Sequence, residues 1–322
     1  MRNRDPGNRG FFSRSMRLIH AASELQPGTR KVCLAIGFFD GVHLGHQQIV
    51  RTTIADARQH EAIALVLTFD RHPNTVVAPQ RVPPLVYSLP QKLRALESLG
   101  ADVLLLAHFD KAFSQKPGEE FVCGLARELG HIRSICVGAN FVFGHKRSGN
   151  VELLKKLGAE MNFAVHGLSA VSLDGQAVSS TRIRQAIAAG NLDGASQMLG
   201  RAYSLAGTVT RGDGMGRKLG FPTVNLETTG LALPPKGVYA VQAQTGGRTW
   251  RAVLNIGYRP TLQNPEPQLR VEAHLMDFDA DLYGQEVELL FVERLREEKK
   301  FGSLAELRDQ IARDILDAQL RF

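Results

Sequence analysis

The 322-residue chain has no long apolar run. Its most apolar segments, residues 62–69 and 103–107, have the length of strands, whereas a membrane-spanning helix needs ~18 or more apolar residues. It has only three cysteines, Cys33, Cys123 and Cys136, and no C-x-x-C pair. This sparse, odd count argues against a disulfide framework and favours a reducing compartment. We therefore expect a cytoplasmic protein that does not cross a membrane.

Two further features are missing. No internal repeat occurs, and low complexity is confined at most to the N-terminal tail. The Walker sequence G-x-x-x-x-G-K-[ST] is absent, which excludes a P-loop kinase on motif grounds. Any reaction with a nucleoside triphosphate must therefore use another kind of phosphate site.

The basic excess of the chain is confined to one end. The net charge is +7 and the pI about 9.5, values that suggest nucleic-acid binding. Residues 1–31, however, carry seven basic and two acidic side chains, so only +2 is left for the rest of the chain. We expect residues 1–15 to be a basic, disordered tail or a mis-assigned start, with Met16 as the functional start. This distribution disfavours a nucleic-acid partner.

The hydrophobic pattern predicts two domains. Residues 32–190 alternate apolar strand-like runs with helical stretches, the pattern of a doubly wound α/β domain with a parallel sheet. Ligands then bind at the carboxyl ends of the strands. We place an α/β domain at 16–186, a linker helix region at 187–200 and a second domain at 201–322.

The second domain is rich in strands. Five strand-like segments occur between 203 and 292, with Gly246-Gly247 as a hairpin signal between two of them. A closing helix begins after Ser303, which forms a capping box with Glu306. We predict a small antiparallel β-barrel followed by a C-terminal helix.

The first chemical motif is the segment G-F-F-D-G-V-H-L-G-H at residues 37–46. It falls where a strand passes into a helix, and the N–H groups of a helix N-terminus favour phosphate. Gly45 permits close backbone approach, and His43 and His46 can donate hydrogen bonds to oxygens that gain charge during attack on a phosphate. A zinc pair lacks a nearby third ligand, and two ordinary surface histidines remain the other alternative.

Two other segments lie on the expected ligand side of this domain. S-S-T-R-I-R at residues 179–184 opens a helix, where hydroxyls are ordinarily caps and the arginines can clamp a triphosphate. Asp70 and His72 follow the end of a strand, where a structural role for His72 and a turn-capping role for Asp70 are the simpler alternatives.

The second chemical motif is glycine-rich, at residues 212–220, and is followed by P-T-V-N. It is not a dinucleotide fingerprint, because Pro222 follows at once and no helical pattern opens after the glycines. Thr223 and Asn225 stand two apart on an extended segment, so they point to the same side and suit Mg²⁺ with phosphate oxygens. A glycine-rich surface turn is the alternative, and the motif by itself favours that turn.

Glu272 is the other candidate in the second domain. In V-E-A-H-L, alternation places Glu272 and His274 on the face opposite the apolar residues. Such a glutamate is usually solvated, but beside a primary hydroxyl it can act as a general base.

Together these motifs resemble the bacterial bifunctional riboflavin kinase/FMN adenylyltransferase (FAD synthetase) family. In the first domain the resemblance rests on residues 37–47, 68–73, 137–144 and 179–184. In the second it rests on residues 212–226, 237–240, 255–261, 271–284 and 301–314. The motifs follow the family's order over roughly residues 16–322. The chain departs from the family pattern at Phe38, where Asn is common, and at Arg71, where Pro is common.

The resemblance implies the site residues. In the first domain His43 and His46 assist AMP transfer, and the ATP-binding residues are Gly37, Phe38, Asp40, Gly45, Ser180, Thr181 and Arg184. Asp70, His72 and Asn140 are expected on the flavin side. In the second domain Glu272 is the base, Thr223 and Asn225 bind Mg²⁺ and ATP, and Gly216, Arg217 and Gly220 lie at the phosphates.

The resemblance also implies the reactions. The second domain phosphorylates riboflavin to FMN with ATP, and the first transfers AMP from a second ATP to FMN, giving FAD and pyrophosphate. The expected ligands are Mg²⁺, ATP, riboflavin, FMN and FAD, with no nucleic-acid or membrane partner. A flavin-sensing protein without catalysis is a rival, which the intact candidate residues disfavour; an enzyme with one active half is another.

Overall fold

A computed structural model of the chain describes residues 16–261 and 264–322, so the predicted tail at 1–15 lies outside the described residues. The described chain divides into two compact units. The first unit comprises residues 16–38, 47–79 and 94–169; the second comprises residues 39–46, 80–93 and 170–322.

The first unit is built on a parallel sheet of six strands in the order β1-β4-β3-β2-β5-β8. The central strands are nearly all apolar and buried, which suits a parallel sheet covered on both faces. A two-stranded ribbon, β6-β7, follows β5. The strands of this unit are β1 Arg17–Ile19, β2 Val32–Ile36, β3 Ile63–Phe69, β4 Val103–Ala107, β5 Ile132–Gly138, β6 Val142–Phe143, β7 Gly149–Asn150 and β8 Ala164–Leu168.

Helices connect the strands of this sheet. Their apolar side chains, such as Val122, Leu129 and Leu154, join the buried strand residues in one core. The helices up to residue 161 are α1 Leu44–Gln59, α2 Asn74–Val77, α3 Leu89–Glu97, α4 Lys111–Ser114, α5 Gly118–Leu129 and α6 Val151–Met161.

The second unit contains a closed barrel of six antiparallel strands in the order β11-β12-β15-β14-β13-β16. Alternating residues of these strands fill its interior, among them Leu205, Val241, Leu254 and Leu289. The remaining elements are β9 Ser172–Leu173, β10 Gln176–Ala177, α7 Ser180–Ala188, α8 Leu192–Leu199, β11 Ser204–Thr210, α9 Met215–Leu219, β12 Val224–Glu227, β13 Gly237–Thr245, β14 Arg248–Thr261, β15 Asn264–Leu275, β16 Glu286–Arg296 and α10 Leu304–Gln319.

Two details of the barrel follow local sequence rules. Gly246 and Gly247 form the two-residue turn between β13 and β14, and both have positive φ (57° and 72°), as a primed hairpin turn requires. Ser303 caps α10 by accepting a hydrogen bond from Glu306 N, whereas the Glu306 carboxylate accepts from Gly302 N rather than from Ser303 N. The predicted fold class, a parallel α/β sheet plus an antiparallel barrel with a C-terminal helix, is confirmed.

The structure adds elements that the sequence pattern did not predict, among them β1, α4, α6, β8 and α9. The apolar run at residues 135–143 predicts a single strand, but the structure divides it. The chain turns after Gly138, whose carbonyl accepts from Phe141 N, and β6 pairs with β7 instead. The glycine-rich segment is also not wholly a loop, since it contains α9.

Candidate active sites

The segment before the two histidines is a strained turn. Phe39, Gly41 and Val42 all have positive φ (55°, 74° and 42°), which is rare for the β-branched Val42. Val42 N donates to Phe39 O at 3.1 Å and closes the turn. A Cβ on Gly41 would lie 2.9 Å from the Val86 side chain, so the close packing also requires glycine here. This geometry must be held by neighbouring residues.

Asp40 anchors the turn through its buried carboxylate. Its oxygens accept hydrogen bonds from Val86 N at 2.9 Å and from Tyr87 N at 3.3 Å, and Arg184 Nη2 lies 2.9 Å away. Burial raises the pKa of Asp40, while the Arg184 guanidinium and the backbone N–H groups act in the opposite direction. The ion pair and the two N–H donors favour the ionised form of this carboxylate and so oppose the effect of burial.

His43 and His46 form a stacked pair at the start of α1. Their ring centroids are 3.5 Å apart and their planes differ by 20°. Gly45 permits this arrangement, because a Cβ there would lie 3.3 Å from His43 Cε1. The backbone N–H of His46 donates to His43 Nδ1 at 3.4 Å, so we place the His43 proton on Nε2.

Both imidazoles are held neutral. Burial, followed by the positive charges of Arg201 and Arg184, lowers the pKa of His43 to about 4. Burial also lowers the pKa of His46 well below its ordinary value, with contributions from His43 and Lys92. His46 Nδ1 is buried and has no hydrogen-bond partner among the described residues. The pair can therefore donate hydrogen bonds from neutral N–H groups.

The N-terminus of α7 lies against the same turn. Ser179 caps the helix by accepting from Arg182 N at 3.2 Å, and Ser180 Oγ donates to Asp40 O at 3.0 Å. Thr181 is exposed. Within the second unit the structure thus brings together Asp40, Gly45, both histidines, Ser180 and Arg184.

The other candidates of the first motif belong to the first unit. Phe38 follows the end of β2, where its carbonyl accepts from Thr68 Oγ1 at 3.0 Å and its ring packs edge-on against His72 at 4.9 Å. Gly37 N donates to Leu67 O. The carboxyl ends of β2 and β3 therefore adjoin, as the parallel sheet predicts.

Asp70 organises the chain after β3. It accepts from Phe109 N at 3.0 Å, and His108 Nδ1 and Arg71 Nη2 lie 2.7 and 3.2 Å from its carboxylate. Burial opposes ionisation here, but these hydrogen bonds outweigh it and lower the pKa of Asp70. Asn140 is exposed in the turn between β5 and β6.

A chain of phenylalanine rings lies in the first unit. Successive ring centroids are 5.3–5.9 Å apart, so the rings form one continuous aromatic wall. It comprises Phe69, Phe109, Phe113, Phe121, Phe141 and Phe143. The members that follow β3, β4 and β5 place this wall at the carboxyl ends of the strands, where ligands of such sheets bind.

On the barrel, the register places three polar residues in one row. Asn225 of β12 is paired with Glu272 of β15, and Glu272 is paired in turn with Asn255 of β14. Directly opposed residues of antiparallel strands share a face and lie about 5 Å apart. The row therefore offers two amides and a carboxylate to one ligand. Asn255 was not among the residues predicted from the sequence, although it is an exposed polar residue between the buried Leu254 and Ile256 of β14.

The glycine-rich segment packs directly on this row. A Cβ on Gly212 would lie 2.2 Å from Asn225 Nδ2, and one on Gly216 would lie 2.4 Å from Phe221 O and 3.0 Å from Thr223 Oγ1. Gly220 ends α9 with φ 90°. Gly212 and Gly216 are required because the backbone there comes very close to the side chains of Asn225 and Thr223.

Residues on the outer face of β15 contact the glycine-rich segment and the proline that follows it. Arg270 Nη1 lies 3.1 Å from the Asp213 carboxylate and 3.9 Å from Glu272 Oε1. His274 Nδ1 lies 2.7 Å from Pro222 O. Glu272 is thus half-buried between Asn225 and a cationic neighbour rather than freely solvated.

A cleft of about 660 Å³ opens beside Thr223. Its lining combines a basic residue, a hydroxyl, two aromatic rings and two carboxylates. These belong in turn to Arg217, to Thr223, to Phe278 and Tyr283, and to Asp279 and Asp281. Its size is in the range of small-molecule sites. In residues 16–261 and 264–322 no group of three or more His, Cys, Asp or Glu side chains is arranged to hold a metal ion.

Comparison with known proteins supports the two-part organisation. A family model described as FAD synthetase matches residues 25–182, and one described as riboflavin kinase matches residues 199–322. The chain is 36% identical to the bifunctional riboflavin kinase/FMN adenylyltransferase of Escherichia coli K12, over 95% of this chain and 98% of that protein. The Haemophilus influenzae and Bacillus subtilis proteins of the same name are 36% and 31% identical over the same share of this chain, and over 98% and 97% of their own lengths.

A solved structure has a similar fold over nearly the whole chain. It is a crystal structure from Streptococcus pneumoniae described as a macrolide-efflux protein, with a TM-score of 0.78 and 28% identity, covering 94% of this chain and 99% of that one. That description concerns the Streptococcus pneumoniae protein. Among the described residues of this chain, none of the helices combines the length and apolarity needed to cross a membrane.

The FAD synthetase match falls on the part of the chain that forms the parallel sheet and contains the histidine motif. The riboflavin kinase match falls on the part that forms the barrel and contains the glycine-rich motif. The chain belongs to the bifunctional riboflavin kinase/FMN adenylyltransferase family.

Proposed function

We propose that the histidine pair carries the adenylyl transfer of this family and that the polar row on the barrel carries the phosphoryl transfer. The chain is a riboflavin kinase and FMN adenylyltransferase: it phosphorylates riboflavin to FMN with ATP and then converts FMN and a second ATP to FAD and pyrophosphate. The observation that supports the residue assignment most strongly is the stacked, neutral pair His43–His46 at a helix N-terminus.

In adenylyl transfer, a phosphate oxygen of FMN attacks the α-phosphorus of ATP. A new P–O bond forms, the bond from the α-phosphorus to the bridging oxygen breaks, and pyrophosphate leaves with that electron pair. His43 Nε2–H and an N–H of His46 donate to oxygens that gain charge in this transition state. A neutral imidazole suits this role, because it donates a hydrogen bond without first having to be protonated at neutral pH.

Residues around the pair hold it and the nucleotide. Asp40, Ser180 and Arg184 fix the turn, and the exposed Thr181 with the first N–H groups of α7 contacts the triphosphate. Gly37, Phe38 and Gly45 let the nucleotide approach the backbone. Asp70, His72 and Asn140 lie on the flavin side, where the phenylalanine wall provides an apolar surface for the isoalloxazine ring.

Substitution of the histidines tests this half. His43→Ala and His46→Ala should each lower kcat for FMN adenylylation by roughly a hundredfold or more, as loss of a transition-state donor does. Riboflavin phosphorylation by the same chain is the internal control for folding and should stay within twofold of the original chain. FMN adenylylation at the original rate in both variants would refute the assignment.

In phosphoryl transfer, Glu272 accepts the proton of the riboflavin 5′-hydroxyl. The hydroxyl oxygen bonds to the γ-phosphorus of ATP as the bond to the β,γ-bridging oxygen breaks, giving FMN and ADP. Thr223, Asn225 and Asn255 position the phosphates beside Glu272. Gly216, Arg217 and Gly220 belong to the glycine-rich segment 212–220, which lies over the phosphates, and Arg217 supplies positive charge.

The donor set of this site fits Mg²⁺. A threonine hydroxyl, amide oxygens and a carboxylate are hard oxygen ligands, and Mg²⁺ typically takes few protein ligands together with substrate phosphates. Thr223 and Asn225 would hold it. When bound with ATP, Mg²⁺ neutralises the charge of the β- and γ-phosphates.

Glu272→Gln tests this half. The amide cannot accept the proton, so kcat for riboflavin phosphorylation should fall roughly a hundredfold or more, within the range of general-base catalysis. FMN adenylylation by the same variant should be unchanged. Glu293→Gln, an exposed glutamate on β16 paired with Arg321, is the matched control and should retain both activities. Full kinase activity in Glu272→Gln would remove Glu272 from the mechanism.

We also propose the functional division 16–186 for adenylyl transfer, 187–200 as linker and 201–322 for phosphoryl transfer, which the two family-model matches support. A cytoplasmic location is supported by the ATP dependence of both reactions and by the three free cysteines.

A further inference from the structure

Arg201 makes an unusual set of contacts with the histidine turn. This half-buried arginine lies between α8 and β11, within the segment matched by the riboflavin kinase model. Its Nη2 donates to Gly41 O at 2.7 Å and its Nη1 donates to Val42 O at 3.1 Å. The acceptors lie 160 and 159 residues earlier in the chain, directly before His43. Both belong to the strained part of the turn.

The guanidinium is itself fixed on its remaining sides. Nε donates to the hydroxyl of the buried Tyr87 at 3.0 Å, and Nη1 also donates to Leu199 O at 3.1 Å. Its carbon lies 5.0 Å from the Tyr87 ring centroid. These hydrogen bonds fix the planar guanidinium of Arg201 in one orientation. The single ammonium group of a lysine could make only some of them.

The backbone beside Arg201 is anchored to the barrel. Tyr203 N donates to Ser196 Oγ at 2.9 Å, and the Tyr203 hydroxyl donates to Ala232 O at 3.0 Å. Ser204 begins β11 and donates to Glu288 of β16 at 2.6 Å. Buried Gln91 donates to Ser204 Oγ at 2.8 Å. Arg201 therefore extends from a rigid part of the barrel to the turn that carries His43.

We propose that Arg201 is a positioning residue for adenylyl transfer, which holds the strained 39–42 turn so that His43 and His46 keep the geometry that donates to the reacting phosphate. The inference rests on the proposed role of the histidine pair. Arg201 lies in the segment matched by the riboflavin kinase model and outside the H-x-G-H segment. The inference nevertheless gives it a role in adenylyl transfer.

The charge of Arg201 also acts on His43. His43 is faced by Arg201, Arg184 and His46, and Arg201 is the largest charge acting on the pKa of His43 after burial. Arg184 is paired with Asp40, and Lys92 acts on His46. Removal of Arg201 should therefore raise the pKa of His43. A merely structural arginine elsewhere would leave this titration unchanged.

The test compares Arg201→Ala, Arg201→Lys and Tyr87→Phe with the original chain and with Arg127→Ala, an exposed arginine on α5. We expect Arg201→Ala to lower kcat for FMN adenylylation about 100-fold, the size of effect that a misplacement of about 1 Å produces, with KM for ATP and FMN within threefold. Arg201→Lys keeps the charge and should fall about 10-fold without shifting the His43 titration. Tyr87→Phe should lose less than fivefold, and riboflavin phosphorylation should persist in all variants.

The outcomes separate this inference from the proposed function. If His43→Ala abolishes FMN adenylylation while Arg201→Ala and Arg201→Lys stay within twofold of the original chain, Arg201 has no positioning role. If His43→Ala itself retains activity, the role of the histidine pair fails first. If Arg201→Ala does not fold, Arg201→Lys decides: a loss confined to adenylylation supports the proposal, whereas unchanged activity or an equal loss of both activities overturns it.

Discussion

At the residue scale, the histidine pair is defined by its environment rather than by its sequence motif alone. Two imidazoles stack at 3.5 Å because Gly45 leaves room and because neither ring carries a charge. Burial and the nearby arginines disfavour protonation of His43. A sequence can show that the histidines are three apart, but the charges that tune them come from residues far along the chain.

The titration of His43 is the first prediction at this scale. In the ligand-free protein, NMR of the histidine ring resonances should give a midpoint near pH 4 for His43, because burial and the Arg201 charge oppose protonation. The spectrum of His43→Asn, in which that resonance disappears, provides the assignment. A midpoint near the ordinary value of about 6.5 would contradict the neutral-pair account.

The same shift predicts how stability depends on pH. The folded-state pKa of His43, about 4, lies below the ordinary value of 6.5, so the unfolded chain binds the proton more readily. The free energy of unfolding is therefore retained above pH 6.5 and falls as the pH drops towards 4. His43 alone accounts for a loss of about 3 kcal/mol. Urea unfolding should show a shallower decline for His43→Asn over this interval, and parallel curves would contradict the prediction.

At the element scale, helix α10 is held on the barrel by one well-formed ion pair. Arg296 Nε and Nη2 donate to the two oxygens of Asp314 at 2.8 and 2.7 Å, and Gln310 adds a third hydrogen bond at 2.9 Å. Asp314 is buried, so the pair is shielded from solvent. Behind it, Ala318 joins Val238, Ala240 and Val253 in an apolar cluster.

Breaking this pair should destabilise the barrel. Asp314→Ala leaves the Arg296 guanidinium partly buried without its partner, and we expect a loss of about 3 kcal/mol in the free energy of unfolding. Glu293→Ala, which removes the exposed pair with Arg321, is the control and should cost less than about 1 kcal/mol. Equal losses in the two variants would show that α10 does not depend on the Asp314 pair.

The glycine-rich segment 212–220 at the proposed kinase site gives a second prediction at the element scale. Gly212→Ala would push its Cβ against Asn225 Nδ2 and displace that side chain from the polar row. We expect KM for ATP in riboflavin phosphorylation to rise about tenfold, with FMN adenylylation unchanged. Gly124→Ala in α5, where a Cβ meets nothing within 4 Å, is the matched control. An unaltered KM would separate Gly212 from nucleotide binding.

Which elements could be predicted follows from their chemistry. β2 and β3 are short, apolar and continuous, and α10 has a serine cap and helical periodicity, so all three were predictable. β1 and β12 have three and four residues, too few for a periodic signal, and exist because they pair with β4 and with β11 and β15. Asn255 and Arg201 belong to no recognisable motif. Strand register brings Asn255 beside Glu272, and a contact 160 residues along the chain brings Arg201 to Gly41.

At the scale of the whole molecule, the chain combines two phosphate chemistries that need no shared catalytic residue. In the assignment proposed above, the adenylyl site uses neutral imidazoles at a helix N-terminus, and the kinase site uses amides and a carboxylate on a barrel face. The two reactions are linked by their chemistry, because the product of the second domain is the substrate of the first. Variants should therefore separate the reactions.

The most direct test of this central claim is a time course with riboflavin, ATP and Mg²⁺, in which riboflavin, FMN and FAD are separated by chromatography. We expect FMN followed by FAD with the original chain. With His43→Ala we expect FMN to accumulate while FAD forms roughly a hundredfold more slowly. With Glu272→Gln we expect riboflavin to react roughly a hundredfold more slowly, while added FMN is still converted to FAD. FAD formation by His43→Ala at the rate of the original chain, or loss of both reactions in folded Glu272→Gln, would contradict this assignment.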